Sequence, residues 1–210
     1  IFQQLLKKHH VCTLDSEYAA YYGRLNMIQE MIKYNIYISH TWADKAACYG
    51  YLDIIQYLET LDIHCTFLGA SNEAEHGFLD IVQYLKSKGT HCSAYTLNNV
   101  AVNGHIEVLE YLMEHNYRCN LNLNSIAGNG RLNIIRLLEQ HNIYCTQVDA
   151  NVAAENGNLD VVEYLRSKKI YCTKECIKYT IIHDHLDVIE FLHNNDIAFD
   201  QTASDHAAGH

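Results

Sequence analysis

The chain has 210 residues and carries 25 acidic against 15 basic side chains, a formal charge of −10. That balance excludes a nucleic-acid backbone or an anionic membrane surface as its main partner, because both repel an acidic protein. No apolar run nears the about 18 residues a membrane span needs, and the opening IFQQLLKKHH is not the basic start and apolar stretch of a signal peptide.

The chain opens on a partial unit, residues 1–12, in which IFQQLLKK matches the second helix of a later unit, Ile1 lying over Ile54 and Leu5 over Leu58. Complete units follow at 13–38, 39–65, 66–92, 93–119, 120–145, 146–172 and 173–199. A second partial unit, 200–210, lays Ala207 and Ala208 over Ala153 and Ala154. The units are near-copies of AAENGNLDVVEYL, which begins at Ala153, with AACYGYLDIIQYL from Ala46 and EAEHGFLDIVQYL from Glu73 as clear examples. Their glycines fall at Gly23, Gly50, Gly77, Gly104, Gly130 and Gly157, with Asp184 in the last place, at intervals of 27, 27, 27, 26, 27 and 27 residues. A constant stride in this range predicts a solenoid, in which each unit buries its apolar face on its neighbours. The expected architecture is all-α, a single array of stacked helix-turn-helix pairs, and a segment of a longer chain.

Each unit spells out its own helices. Thr13, Ser39, Thr66, Ser93, Asn120, Thr146 or Thr173 is of a type that accepts from the first amides of a helix. A short apolar-periodic stretch follows, with a small residue three before the glycine (Ala20, Ala47, Ala74, Ala101, Ala127 and Ala154) that lets neighbouring helices approach. The glycine fits a left-handed cap, a conformation Asp184 also tolerates. The second helix starts near Asp53, Asp80, Glu107, Asp160 or Asp187, where a carboxylate suits the positive helix end. It ends near Asn35, Asp62, Gly89, Asn116, Asn142, Lys169 or Asp196, again mostly left-handed types. Asn98, Asn124 and Asn151 share one phase of the first helices and read as solvated amides, with an inter-repeat hydrogen-bond ladder as the alternative.

Six of the eight cysteines (Cys12, Cys65, Cys92, Cys119, Cys145, Cys172) hold one phase that Ile38 and Phe199 occupy elsewhere. Alternation with Ile and Phe marks a buried apolar position. Stacked units place such positions roughly 10 Å apart, too far for a disulfide, so structural thiols in a reducing compartment are expected. No CxxC pair, HExxH, glycine-rich phosphate loop or G-x-S-x-G turn occurs. His9–His10 and His183/His185 lack ligand spacing; His206 and His210 have it without an evident further set. The expectation is a protein without catalytic residues, cofactor or metal.

The motif A-A-x-x-G-x-L-[DE]-V-V-x-x-L, plainest at 153–165 and 46–58 and repeated over essentially the whole chain, resembles the ankyrin repeat. These units are shorter than the usual about 33 residues. The six missing residues fall where the family carries its β-hairpin finger, and no unit contains T-P-L-H, since the chain has no proline. The array is therefore similar to the finger-poor ankyrin-like repeats of large DNA viruses of protists and of some protists, and the resemblance implies β-hairpin fingers that are reduced or absent.

In that family the two residues before the glycine face a concave groove and contact partners. By position these are Tyr21 and Tyr22, Cys48 and Tyr49, Glu75 and His76, Val102 and Asn103, Gly128 and Asn129, Glu155 and Asn156, and Ile182 and His183. Trp42, the single tryptophan, lies early in a first helix and suits either core packing or partner anchoring. The resemblance implies a non-enzymatic scaffold that binds another protein on its concave or edge surface, in the cytoplasm (of the host, for a viral protein). Two further roles stay open: a substrate-selecting adaptor for a host ubiquitin ligase, and a virion or self-assembling component built by end-to-end association.

Overall fold

The structure, a computed structural model, describes residues 17–93, 95–115, 117 and 120–195. The partial units at either end, Cys12, Cys119, Asn116, Asp196, Phe199 and the pair His206/His210 lie outside the described residues. Among these residues the chain is all-helical, fourteen helices and no strand. They come in pairs: α1 (Tyr18–Tyr21) with α2 (Leu25–Lys33), α3 (His40–Cys48) with α4 (Leu52–Glu59), α5 (Phe67–His76) with α6 (Leu79–Ser87), and α7 (Thr96–Asn103) with α8 (Ile106–Glu114). There follow α9 (Leu123–Gly128) with α10 (Leu132–Gln140), α11 (Gln147–Glu155) with α12 (Leu159–Ser167), and α13 (Lys174–Ile182) with α14 (Leu186–Asn194).

The chain divides into two compact units, one of residues 1–100 with 107–119, the other of 101–106 with 120–210. In the first, α3 lies against α1, α5 and its own partner α4, so the first helices form a layer and each carries its second helix beside it. The core is Ile28, Met31, Trp42, Ile54, Ile55 and Leu58, closed by Ala20, Ala43, Ala46 and Ala47. In the second, α11 lies against α9, α13 and α12, and α12 against α10 and α14. Its buried set includes Ile126, Ile134, Leu138, Val161, Val162, Leu165, Ile177 and Leu192, again with fully buried alanines at Ala127, Ala153 and Ala154. A methyl group at each of these positions is what keeps the layer thin.

Trp42 corrects one expectation. It is 2% exposed and packs in the first unit's core, because α3 is covered on several sides; a partner has no access to it.

Turn chemistry follows the repeat. Gly23, Gly50, Gly77, Gly104, Gly130 and Gly157 are left-handed, as is Asp184 at φ 58°. The second helices end on left-handed Asn35, Asp62, Gly89, Asn142 and Lys169. Gly157 shows a further constraint: a Cβ there would stand 2.5 Å from the ring of His185, one unit on. Carboxylates Asp53, Asp160 and Asp187 accept from the next residue's N–H at 2.8–2.9 Å, and Asn133 does the same at the start of α10. These side chains satisfy amides that the helix leaves open.

The first helices begin less uniformly. Thr66 caps α5 by accepting from Leu68 N–H, and Asp149 accepts from both the N–H and the hydroxyl of Thr146 at the start of α11. In α9, however, the cap is Asn122 rather than Asn120, which shortens that helix to six residues.

The asparagine phase is also used differently from the ladder alternative. Thr173 donates its N–H to Asn151 Oδ1 at 2.8 Å, and Asn151 Nδ2 donates to Thr173 Oγ1 at 3.0 Å. Ser93 N–H donates to Ser71 Oγ at 3.0 Å, and Asp44 receives Thr66 in the same way. In α3, α5 and α11 the bonds thus run to a residue ahead of the next first helix. Asn124 is exposed, and its counterpart Thr146 is served locally by Asp149.

Candidate functional site

The positions before each glycine are the last residues of the first helices and their caps, and the approaching left-handed turn lifts them out of the layer. In the first unit Tyr21 ends α1, Tyr22 and Tyr49 cap α1 and α3, and Glu75 and His76 end α5. In the second, Asn103 ends α7, Asn129 follows α9, Glu155 and Asn156 close α11, and Ile182 and His183 close α13. Every one of them reaches solvent, fully or in part. Trp42, by contrast, lies beneath this surface.

Their side chains divide into two kinds. Asn129 Nδ2 donates to Ser125 O and Asn156 Nδ2 to Val152 O, both at 2.8 Å, while His76 Nδ1 lies 2.6 Å from Asn72 O. These close their own helix ends, where carbonyls lack intrahelical partners. His183 Nδ1 reaches Glu155 O at 2.9 Å, linking consecutive pairs.

The tyrosines do something else. Tyr21 stands with its ring centroid 4.6 Å from that of Tyr22 and 4.3 Å from that of Tyr49. Tyr18, one turn earlier, lies 6.1 Å from both Tyr21 and Tyr22. Four rings from two helices thus form one cluster at the surface, with Tyr18 55%, Tyr22 56% and Tyr49 40% exposed. The Tyr49 phenol is pushed above its ordinary value by its hydrogen bond with Tyr21. Sequence reasoning missed Tyr18, although the spacing Tyr18, Tyr21, Tyr22 is that of one helix face.

Glu73 occupies the phase held by Ala46 and Ala153 and is fully buried. Neither carboxylate oxygen has a hydrogen-bond partner among the described residues. Burial first, and then the charges of Asp44 and Asp80, raise its pKa to about 9, so it is neutral at pH 7. The signal in the sequence was an acid where the other units place a small or apolar residue.

A pair of matching polar clusters lies on the second helices. In the first unit Tyr84 donates its hydroxyl to Glu59 at 2.7 Å, and Lys88 meets the same oxygen at 3.0 Å. In the second unit Tyr164 donates to Glu139, which Lys168 also meets at 2.8 Å. Burial works to raise Glu59, but the bonds from Tyr84 and Lys88 outweigh it and hold the carboxyl below its usual value. Lys168 and then Tyr164 do the same for Glu139. These bonds tie the end of one second helix to the next second helix.

The described cysteines Cys48, Cys65, Cys92, Cys145, Cys172 and Cys176 are free thiols. Cys92 S–H donates to Ala70 O and Cys172 S–H to Ala150 O. Burial pushes the Cys92 and Cys145 thiols up to about 12. The Cys176 S–H lowers Cys172 and is itself pushed up by that bond. Among the described residues no group of three or more His, Cys, Asp or Glu is placed to hold a metal ion, and no helix is long and apolar enough to cross a membrane.

No family model matches this chain, and no curated protein matches it either.

Proposed function

We propose that this protein is a non-enzymatic binding scaffold, its helix pairs stacked as a finger-poor, ankyrin-like solenoid, that captures another protein through the ends of its first helices. The observation that carries the reading is the contrast within one repeat phase. Alanines three before the glycine are invariably buried where described, while the neighbouring end positions vary from tyrosine to glutamate to asparagine and reach solvent. Exposed aromatic clusters are the kind of surface that anchors protein interfaces, where a few rings carry most of the energy. Six free, largely buried thiols support a reducing compartment such as the cytoplasm.

Affinity capture from the source cell tests the reading, comparing the original chain with Tyr22→Glu/Tyr49→Glu and with Asp53→Lys, a change on a second helix. The expected result is a protein retained by the original chain and by Asp53→Lys but lost from the tyrosine variant. Equal retention by all three overturns it. Small-angle scattering tests the solenoid: an elongated particle is expected, and a spherical one removes it.

A further inference from the structure

Glu73 is an acid set into an apolar layer, a feature independent of the scaffold reading. Its phase holds Ala46, Val100, Ile126 and Ala153 in other repeats, all 0% exposed, and Glu73 is buried to the same degree. Both of its carboxylate oxygens lack a hydrogen-bond partner among the described residues. We infer that Glu73 is a proton-operated latch on α5: uncharged it stays sealed in the layer, and once deprotonated it leaves for water and takes the last turn of α5 with it.

The helix end makes the response local. Glu73 lies in the last turn of α5, which closes on the left-handed Gly77, and helix ends are the parts that fray. That turn is held by Phe78 N–H donating to Glu73 O and Gly77 N–H to Ala74 O, both at 3.1 Å. Glu75 and His76, which follow, already reach solvent. The start of α5 is tied to α3 by the bonds between Thr66 and Asp44, so it stays in place while the far end opens.

The groups around Glu73 work against its ionised form. The charges acting on it are those of Asp44 on α3 and Asp80 on α6, both negative. Lys45 of α3 and Lys86 of α6 act on Cys48 and Cys92 instead. Glu73 in turn is felt by Cys48, by Cys65 before α5 and by Cys92 before α7, and its charge holds all three as neutral thiols. The helix α7 itself, Thr96–Asn103, has no titratable side chain. Burial and the two acids keep the folded carboxyl protonated up to about 9, whereas an exposed one ionises near 4.5. Between those values the open form gains on the closed one by about tenfold per pH unit, and below the lower value both forms are protonated and pH has no effect.

Cys92 reports on this opening, because its S–H donates to Ala70 O in α5, within a turn of Glu73. Cys145, a buried thiol of the second compact unit, serves as the reference.

The test labels the full chain with iodoacetamide from pH ~6 to ~9.5 and reads the ratio of the Cys92 and Cys145 rates by mass spectrometry; the rise in thiolate common to both thiols cancels in that ratio. The ratio is expected to climb by up to about tenfold per pH unit and to level off near pH 9. Glu73→Gln keeps the shape and cannot ionise, so its ratio should stay flat. Glu73→Met, apolar and of similar size, should be flat too and serves where a buried amide disturbs the fold, with circular dichroism as the check. A ratio that stays flat in the original chain overturns the latch, as it does when both thiols speed up together because the whole chain unfolds. A climb that persists in both variants overturns it equally.

Discussion

Asp44 holds Thr66 at two points: the Thr66 N–H donates to Asp44 Oδ1 at 2.7 Å and its hydroxyl to Oδ2 at 2.8 Å. One carboxylate in the body of α3 thereby positions the first residue before α5. Gly69 leaves room for it, since a Cβ there would stand 2.4 Å from Asp44 Oδ1. Pair-to-pair alignment is thus set by polar bonds as well as by apolar burial.

Removing that carboxylate should cost more than a surface acid normally does. Asp44→Ala strands the Thr66 amide in a half-buried place, a loss of about 1–3 kcal/mol, whereas Asp44→Asn retains an acceptor and should lose less than half of that. Gly69→Ala should also destabilise, although alanine is ordinarily the better helix former by about 1 kcal/mol. Urea unfolding of the three variants measures this; an Asp44→Ala chain as stable as the original removes the proposed role of the bond.

Glu73 should make the protein less stable as pH rises. Its folded pKa, about 9, exceeds the ordinary 4.5, so the folded state binds the proton more tightly than the unfolded state. The neutral form is favourable to folding below the unfolded value. Stability then declines between pH ~4.5 and ~9, by at most about 1.4 kcal/mol per pH unit for one proton. Glu73→Met, apolar and of similar size, should raise Tm at pH 8, show a smaller gain at pH 5, and flatten the slope. Thermal melts across that range check it, and a parallel pH profile for the two chains contradicts it.

The half-buried Cys92 and the buried Cys145 should label slowly. Cys92 and Cys145, both near pKa 12, hold almost no thiolate at pH 8, and the thiolate is the reactive form. Mass spectrometry of iodoacetamide-treated protein should find them modified far more slowly in the folded chain than in urea. Comparable rates in both conditions would contradict the burial described above.

Gly157 combines two constraints that a double variant separates. At φ 75° an alanine is strained, and its methyl group would strike His185. Gly157→Ala should cost about 2–4 kcal/mol, and adding His185→Ala should recover the part due to the clash but leave about 1 kcal/mol from the left-handed backbone. Chemical denaturation of the two single variants and the double one measures the split.

Much of this was readable from a single period. Glycine or aspartate at a fixed stride, a small residue three positions earlier and an acid at the second helix start are local rules, and each was met by the backbone that needed it. The cysteine phase likewise told of burial, because Ile and Phe alternate with Cys there. Other features were not local. Trp42 could face either way until α1, α4 and α5 were seen to cover α3. The asparagines of Asn98, Asn124 and Asn151 read as one solvated row, yet Asn151 turned to Thr173 while Thr146 found Asp149 closer at hand. Tyr18, Tyr21 and Tyr22 share a helix face by spacing alone, but Tyr49 joins them only because α3 lies against α1.

The sequence by itself determined the helix pairs, the left-handed turns that end them and most of the residues that face inward, because propensity, capping and apolar periodicity act within a turn or two of the chain. Only the tertiary structure decided which polar side chains meet across 22 or more residues, and which aromatic rings gather at the surface. Those pairings depend on how closely one helix approaches the next, a distance set by the packing of every residue between them.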